Sequence, residues 1–465
     1  MAERVRARLT PDFTASGAVF TAAAGAAAVL GAVAVYSPKA AVIALLAVAF
    51  VALAVSRLPL AVAVFVVLTF PEHLPGSLGA GATIAKPIGA LIMVAWAGAV
   101  LTRSGRLPLL PREQPLFFWA VIALILFSGS STLWATAPGE TKSALGRLLL
   151  VAGLALVTYT AASSRQGFRT IIQGYLLGSA ITSFYSVFSG TYIQTGRLAG
   201  LFDPNFFAAE LIPAILIACF LFVTAESRRT RWLSAGVAAV DLVAFVLTQS
   251  RGGIAGLAVA LLVALAVAGR ARPRVLALLL VLVAVGLGYY LTYRPAHVFQ
   301  SGEAGGVSAT SSGRTDEWQV AVRMFRDHPL GGVGLGSYRE AEPAYATQTF
   351  NLSFTQFIVT FRQLAHNMYL QVAAELGLVG LILFFTILAL PLHLAARTLA
   401  RFERVPAELE FSARGLFAGV VGLLAAYVFL SADLEKPLWL MLGLLASVPQ
   451  LLRESGEMPS TPVGY

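Results

Sequence analysis

Five polar residues in an otherwise apolar chain have the types to do chemistry. They are Arg197 in GRLAGLFDPNFFA, Asn205 in the same segment, Arg251 in TQSRGGIAG, Arg314 in SGRTDEWQVA, and His366 opening HNMYLQVAAELG. Guanidinium forks grip phosphate oxygens in pairs and keep their charge near lipid. Arginines with an Asn, away from any carboxylate cluster, suit an anionic ligand, and a diphosphate is the natural one at a membrane surface. Diphosphate is also a good leaving group, and cations aimed at it stabilise the charge that grows there. A histidine that is neutral near pH 7 has the basicity to take the proton of an attacking hydroxyl. The chain holds one cysteine, Cys219, and no H-E-x-x-H or D-x-D pattern, so neither a metal site nor a cofactor is expected.

The elements that must position these residues are membrane helices. The chain has 465 residues, of which 58% are hydrophobic and 12% charged, with a mean hydropathy of +0.79. Soluble domains carry about 25% charged residues. Apolar runs of roughly 17–25 residues recur along the chain and match bilayer hydrocarbon. The spacing predicts helices at 15–36, 39–55, 58–71, 85–102, 115–133, 143–162, 169–190, 204–224, 232–249, 252–268, 275–293, 366–395, 414–431 and 436–452. The fold class expected is therefore an all-α polytopic membrane protein of about 12–14 transmembrane helices, with one large extracytoplasmic loop. The net charge of +10 reports topology rather than nucleic-acid binding. With both termini cytoplasmic, most Lys and Arg fall inside, among them Arg228, Arg229, Arg231, Arg270, Arg272 and Arg274. Arg197, Arg251 and Arg314 then all lie on the outer face, where that rule does not explain them.

Residues 294–365 form the large outer loop. It opens with SGEAGGVSATSSG and continues into a helical pattern. Trp318, Ala321, Val322 and Phe325 recur as an apolar stripe that includes Arg314, with Ser312 as N-cap and Asp316 and Glu317 in the first turn. GGVGLGSY follows; Ser337 stands where a third phosphate-loop glycine belongs, so a tight turn is expected instead. Asp203-Pro204 reads as an N-cap with Pro at the first helical position. Between helices 9 and 10 the turn is so short that Arg251 is held at the rim. Asp241, mid-helix, reads either as a proton-coupling residue or, the favoured expectation, as a hydrogen-bond partner of a neighbouring helix. Its isolation in the membrane weighs against a transporter or flippase of lipid-linked sugars, which needs charges along a central path.

At GRLAGLFDPNFFA, TQSRGGIAG, SGRTDEWQVA with HPLGGVGLGSY, and HNMYLQVAAELGLVG, the sequence resembles the bacterial O-antigen ligases and their relatives, the O-antigen polymerases. The resemblance spans roughly 196–380. It implies a GT-C-like glycosyltransferase of the inner membrane with no metal or cofactor. Its partners would be an undecaprenyl-diphosphate-linked glycan donor and a lipid or glycan acceptor. It further implies inversion at the anomeric carbon, with Arg251, Arg314 and His366 as catalytic residues. Arg197 and Asn205 join Arg251 and Arg314 as expected diphosphate contacts. Ligase and polymerase share these motifs, and the acceptor stays open between lipid A–core, another surface anchor and a second lipid-linked unit. Three segments follow: membrane helices at 1–190, a catalytic region at 191–395 and C-terminal helices with a cytoplasmic tail at 396–465.

Overall fold

The computed structural model describes residues 37–70, 85–102, 109–190, 192, 196–199, 203–293, 314–349, 352, 360–402 and 405–453. The predicted helix at 15–36, the Gly/Ser-rich opening of the loop and Ser312 lie outside the described residues. Within them the protein is all-α, with one isolated bridge between Tyr192 and Leu198.

The helices run in chain order as α1 Pro38–Ser56, α2 Leu58–Thr69, α3 Ala85–Thr102, the four-residue α4 Leu110–Glu113, α5 Pro115–Ser130, α6 Pro138–Ala162 and α7 Arg165–Ser189. Then come α8 Pro204–Thr224, α9 Arg228–Thr248, α10 Arg251–Val267 and α11 Arg272–Tyr293. The loop contributes α12 Arg314–Asp327 and α13 Tyr338–Ala346, and the chain closes with α14 Met368–Leu399, α15 Ala407–Ala426 and α16 Lys436–Arg453. Seven helices among the described residues (α5 to α9, α14 and α15) are long and apolar enough to cross a bilayer. The pair α10 and α11, bent by 107° at a short break, adds an eighth, and shorter apolar helices lie in α1, α2, α3 and α16.

Each predicted helix from residue 39 onward has a counterpart, but several begin earlier than their apolar runs. The helix expected at 143–162 starts at Pro138, where Pro occupies the first turn and Glu140 faces the positive helix end. Apolar runs mark only the lipid-embedded part of a helix. Polar first turns continue past it.

Helices α8 and α15 are the most enclosed of the candidate spans. Where they meet, α15 presents glycines: a Cβ at Gly415 would stand 2.7 Å from Ile217 Cα and one at Gly419 2.5 Å from Pro213 Cα of α8. Small side chains let backbones approach where lipid supplies no hydrophobic drive. Buried apolar residues from Val62 to Leu452 form one continuous cluster. Asp241, the lone mid-membrane acid of α9, accepts a hydrogen bond from Ser179 Oγ of α7 at 2.8 Å, as expected for a helix-to-helix bond.

The loop helices α12 and α13 form a small cap with its own core, in which Val320, Met324, Val333, Tyr338 and Ala341 pack on Ala374 of α14. Here the expected stripe is corrected. The buried face of α12 is Asp316, Glu317, Val320, Ala321 and Met324, whereas Trp318, Val322 and Phe325 are only half-buried. Burial follows the side that docks on α14, and two carboxylic acids go with it. One of them, Glu317, is spanned by Tyr338, whose hydroxyl donates to the Glu317 carbonyl at 2.9 Å.

Helix α14 is broken at Gly377, with φ 62° and ψ −161°. This conformation is open to glycine alone. The segment 328–338 is spliced into the break. Leu378 N donates to Pro329 O at 2.8 Å and Val379 N to Leu330 O at 3.4 Å, while Val333 N and Gly334 N donate to the carbonyls of Ala374 and Glu375 at 2.9 Å each. Backbone groups freed by the kink thus find partners in the loop. A side chain at Gly377 would collide with the Leu330 carbonyl.

Candidate functional site

The site is built where four helices begin. Asp203, extended at φ −144°, caps α8: its Oδ1 accepts from Asn205 N at 2.8 Å and Phe206 N at 3.1 Å, with Pro204 at the first helical position. Ser250 caps α10 by accepting from Gly253 N at 3.1 Å, which leaves Arg251 as the first residue of that helix. Arg314 is likewise the first residue of α12. Asn367 caps α14, accepting from Tyr369 N and Leu370 N at 3.0 Å each, with His366 directly before it.

Helix N-termini carry partial positive charge and unpaired N–H groups, and they are natural anion sites. A cation in the first turn is unfavourable by about 0.3–1 kcal/mol against the helix dipole. Two helices here nevertheless begin on arginine. That arrangement is favourable once an anion lies between them.

Short polar links tie these ends together. Asn205 Oδ1 accepts from Arg197 at 2.8 Å and from Ser250 Oγ at 2.9 Å. Arg197 Nε donates to the Thr248 carbonyl at 2.8 Å, in the last turn of α9 where carbonyls lack helical partners. Gly252 has no side chain because Phe429 is already there; a Cβ would stand 2.9 Å from the Phe429 Cβ. Phe429 meets Trp318 of α12 with ring centroids 6.3 Å apart. Through these contacts the starts of α10 and α12 are held to one another.

The electrostatics record the same convergence. Burial lowers the Arg197 guanidinium pKa, Asp203 raises it, and Arg314 and Arg251 lower it further. Burial also lowers Arg314, offset by Glu317 and Asp203, while Arg251 repels it. His366 is pushed down to about 4, first by burial and then by Arg314 and Arg339, with Asp203 pulling the other way. Its backbone is left-handed at φ 45°, uncommon for a residue with a side chain. The structure thus brings Arg197, Asn205, Arg251, Arg314 and His366 into one electrostatic neighbourhood, with a neutral imidazole among crowded cations.

Sequence reasoning missed three acids near this site. Asp203 was read as a helix cap only, yet its charge acts on Arg197, Arg314 and His366. Glu317 is raised to about 8 by burial and by Glu342, against the pull of Arg314. Glu342 is raised to about 7 by burial, opposed by a hydrogen bond from Gln363 N and by Arg339. The signal that could have found Glu317 is its i+3 spacing from Arg314 on a helix whose docked side was unknown. Glu375 does not face His366, as its helical angle predicted. Its carboxylate accepts from Gly336 N at 2.6 Å and Tyr338 N at 3.4 Å. The glycine run forms the turn expected there, with Gly332, Gly334 and Gly336 at positive φ, and it also holds a protein carboxylate.

The fold is that of a polytopic helical membrane protein, and comparison with known proteins supports a relation to the O-antigen ligases. The family model described as O-antigen ligase matches residues 236–385, which run from α9 into α14 and take in Arg251, Arg314 and His366. Among curated proteins, the chain is similar to the exopolysaccharide production protein ExoQ of Rhizobium meliloti (strain 1021). Identity is 24% over 336 residues, covering 69% of this chain and 73% of the relative.

Proposed function

We propose that the protein is a metal-independent, inverting glycosyltransferase that moves a glycan from undecaprenyl diphosphate to an acceptor hydroxyl. The observation that carries this reading is the pair of helices, α10 and α12, that begin on Arg251 and Arg314 beside His366. Arg251 and Arg314, with Arg197 held by Asn205, grip the diphosphate. His366, neutral at pH 7, accepts the proton of the acceptor hydroxyl. The hydroxyl oxygen attacks the anomeric carbon from the face opposite the diphosphate. The bond from that carbon to the diphosphate oxygen breaks, its electron pair stays on the leaving group, and the three guanidinium groups stabilise the new charge. Glycosidic configuration inverts. The charge distribution supports a site on the outer face of the cytoplasmic membrane, with both termini inside. The site's place at the ends of several membrane helices supports a GT-C-like architecture.

The acceptor reading is ligase-like, adding a finished glycan to lipopolysaccharide or another surface anchor. The similarity to an exopolysaccharide production protein favours a second reading, a polymerase that joins lipid-linked repeat units. Replacement of Arg251, Arg314 or His366 by Ala should each lower transfer by about 10²–10³-fold or more, with membrane insertion intact and no response to EDTA. Full activity in all three variants overturns the assignment. Glycan profiling of a deletion strain separates the readings: surface single repeat units mean polymerase, and long chains left on the carrier lipid mean ligase.

A further inference from the structure

The cap helix α12 has a face that the proposed reaction leaves unused. Its core side, with Glu317, Val320, Ala321 and Met324, packs on α13 and α14. Thr315, Trp318, Gln319, Val322, Arg323 and Arg326 stand elsewhere on it, at i, i+3, i+4, i+7, i+8 and i+11. At 3.6 residues per turn these six fall on one face, roughly opposite the core side. They form one wall of an open cleft of about 510 Å³ whose other wall includes Thr349, beyond α13, and Leu370, in the first turn of α14.

The half-buried Trp318 and Val322, two members of the expected apolar stripe, line this cleft. Phe429 packs against the Trp318 indole at an interplanar angle of 35° and fixes its orientation. The indole Nε1–H is buried and has no hydrogen-bond partner among the described residues. An aromatic face beside an amide, two hydroxyls and two guanidinium groups is suited to carbohydrate. The C–H face of a sugar ring stacks on the indole, and its hydroxyls pair with the donors around it. Arg323 is oriented by Asp327 at 2.9 Å, which holds its fork in place along the helix.

Position narrows the occupant. The cleft begins at Thr315, next to Arg314, and Leu370 stands one turn beyond His366. From Thr315 to Arg326 the helix rises about 16 Å, room for roughly three sugar rings laid end to end. A glycan leaving a diphosphate held at Arg314 meets this face first. We propose that the cleft binds the glycan of the lipid-linked donor, with the sugars nearest the diphosphate lying on Trp318 and Gln319. The proposal rests on the donor reading given above.

The test uses the full-length chain in proteoliposomes. The donor is lipid-linked glycan extracted from cells lacking this protein, in graded amounts, first at fixed acceptor and then with the two roles exchanged. Trp318→Ala and the double variant Arg323→Ala/Arg326→Ala should each raise the donor concentration for half-maximal transfer about tenfold, equal to about 1.4 kcal/mol of binding. In the arginine double variant the maximal rate should stay within about twofold and binding of undecaprenyl diphosphate without sugars should be unchanged, while Trp318→Phe, which keeps a ring against Phe429, should recover most of the Trp318→Ala loss. Unchanged donor dependence overturns the proposal. So does a rise confined to the acceptor, which would place the acceptor glycan in the cleft, or a parallel loss of sugar-free undecaprenyl diphosphate binding. Arg251→Ala and Arg314→Ala in the same assay keep the two readings apart. If both retain transfer, the donor reading fails; if both lose it while Trp318→Ala behaves as wild type, only the glycan cleft fails.

Discussion

The depressed basicity of His366 makes a prediction about pH that separates the free enzyme from its donor complex. An ordinary histidine titrates at about 6.5, whereas His366 sits at about 4 because of burial, Arg314 and Arg339. The difference corresponds to about 3 kcal/mol of bias against the protonated ring in the folded protein. The sign follows from the depression. The folded state holds this proton less tightly than the unfolded chain, so the stability involved is complete above about pH 6.5 and is lost as pH falls towards 4. For catalysis, kcat/KM follows the free enzyme, and its acid limb should fall well below pH 6. Once the diphosphate is bound, its negative charge offsets the field of Arg314, so the imidazole becomes easier to protonate. The acid limb of kcat should therefore lie at higher pH than that of kcat/KM. Replacing Arg339 with Gln removes one repelling cation and should shift the kcat/KM limb upward while leaving the reaction intact. The assay is transfer in proteoliposomes from about pH 4 to about pH 8, at limiting and saturating donor. Coincident limbs near the ordinary histidine value, unmoved by Arg339→Gln, would refute the reasoning.

Other outcomes follow from single contacts. Asn205→Ala removes the acceptor that Arg197 and Ser250 share, and its loss should weaken binding of undecaprenyl diphosphate by about tenfold, or 1–2 kcal/mol, measured by titration in detergent. Glu375→Gln leaves one loop N–H facing an amide donor rather than a carboxylate, and thermal unfolding should show a loss of about 1–3 kcal/mol. Gly377→Ala forces a side chain into a left-handed position against Leu330; it should lower stability by at least about 2 kcal/mol and raise protease sensitivity in the cap. His366→Gly relieves the φ of 45°, so it should stabilise the fold by up to about 1 kcal/mol while transfer is lost.

Much of this architecture was legible in the sequence because lipid imposes a single length scale. A run of apolar residues reports a helix whatever its neighbours are, and Asp203-Pro204 reports a helix start through local chemistry alone. Arg251 was legible for the same reason, since the chain has to turn at Ser250. Helix α12 behaves differently. Its docked side depends on α14, and nothing within Arg314–Asp327 says that Glu317 goes inward while Trp318 faces a cleft. The break at Gly377 is harder still. ELGLVG reads as uninterrupted helix, and its kink is stable only because a segment about forty residues earlier supplies the missing partners. The pairing of Glu375 with the glycine run is a tertiary fact of the same kind. Helical angle correctly kept Glu375 away from His366, but it had no means of naming the partner.

The splice in α14 also bears on how the cap is tied to the membrane helices. A spanning helix answers a change in hydrocarbon thickness by tilting. Because Pro329 and Leu330 are bonded to one side of the Gly377 break and Val333 and Gly334 to the other, tilt in the lower half of α14 is passed to the cap as well as to His366. The cap that carries Arg314 and the head of α14 beside His366 are therefore fastened to both halves of the broken helix by the same short segment.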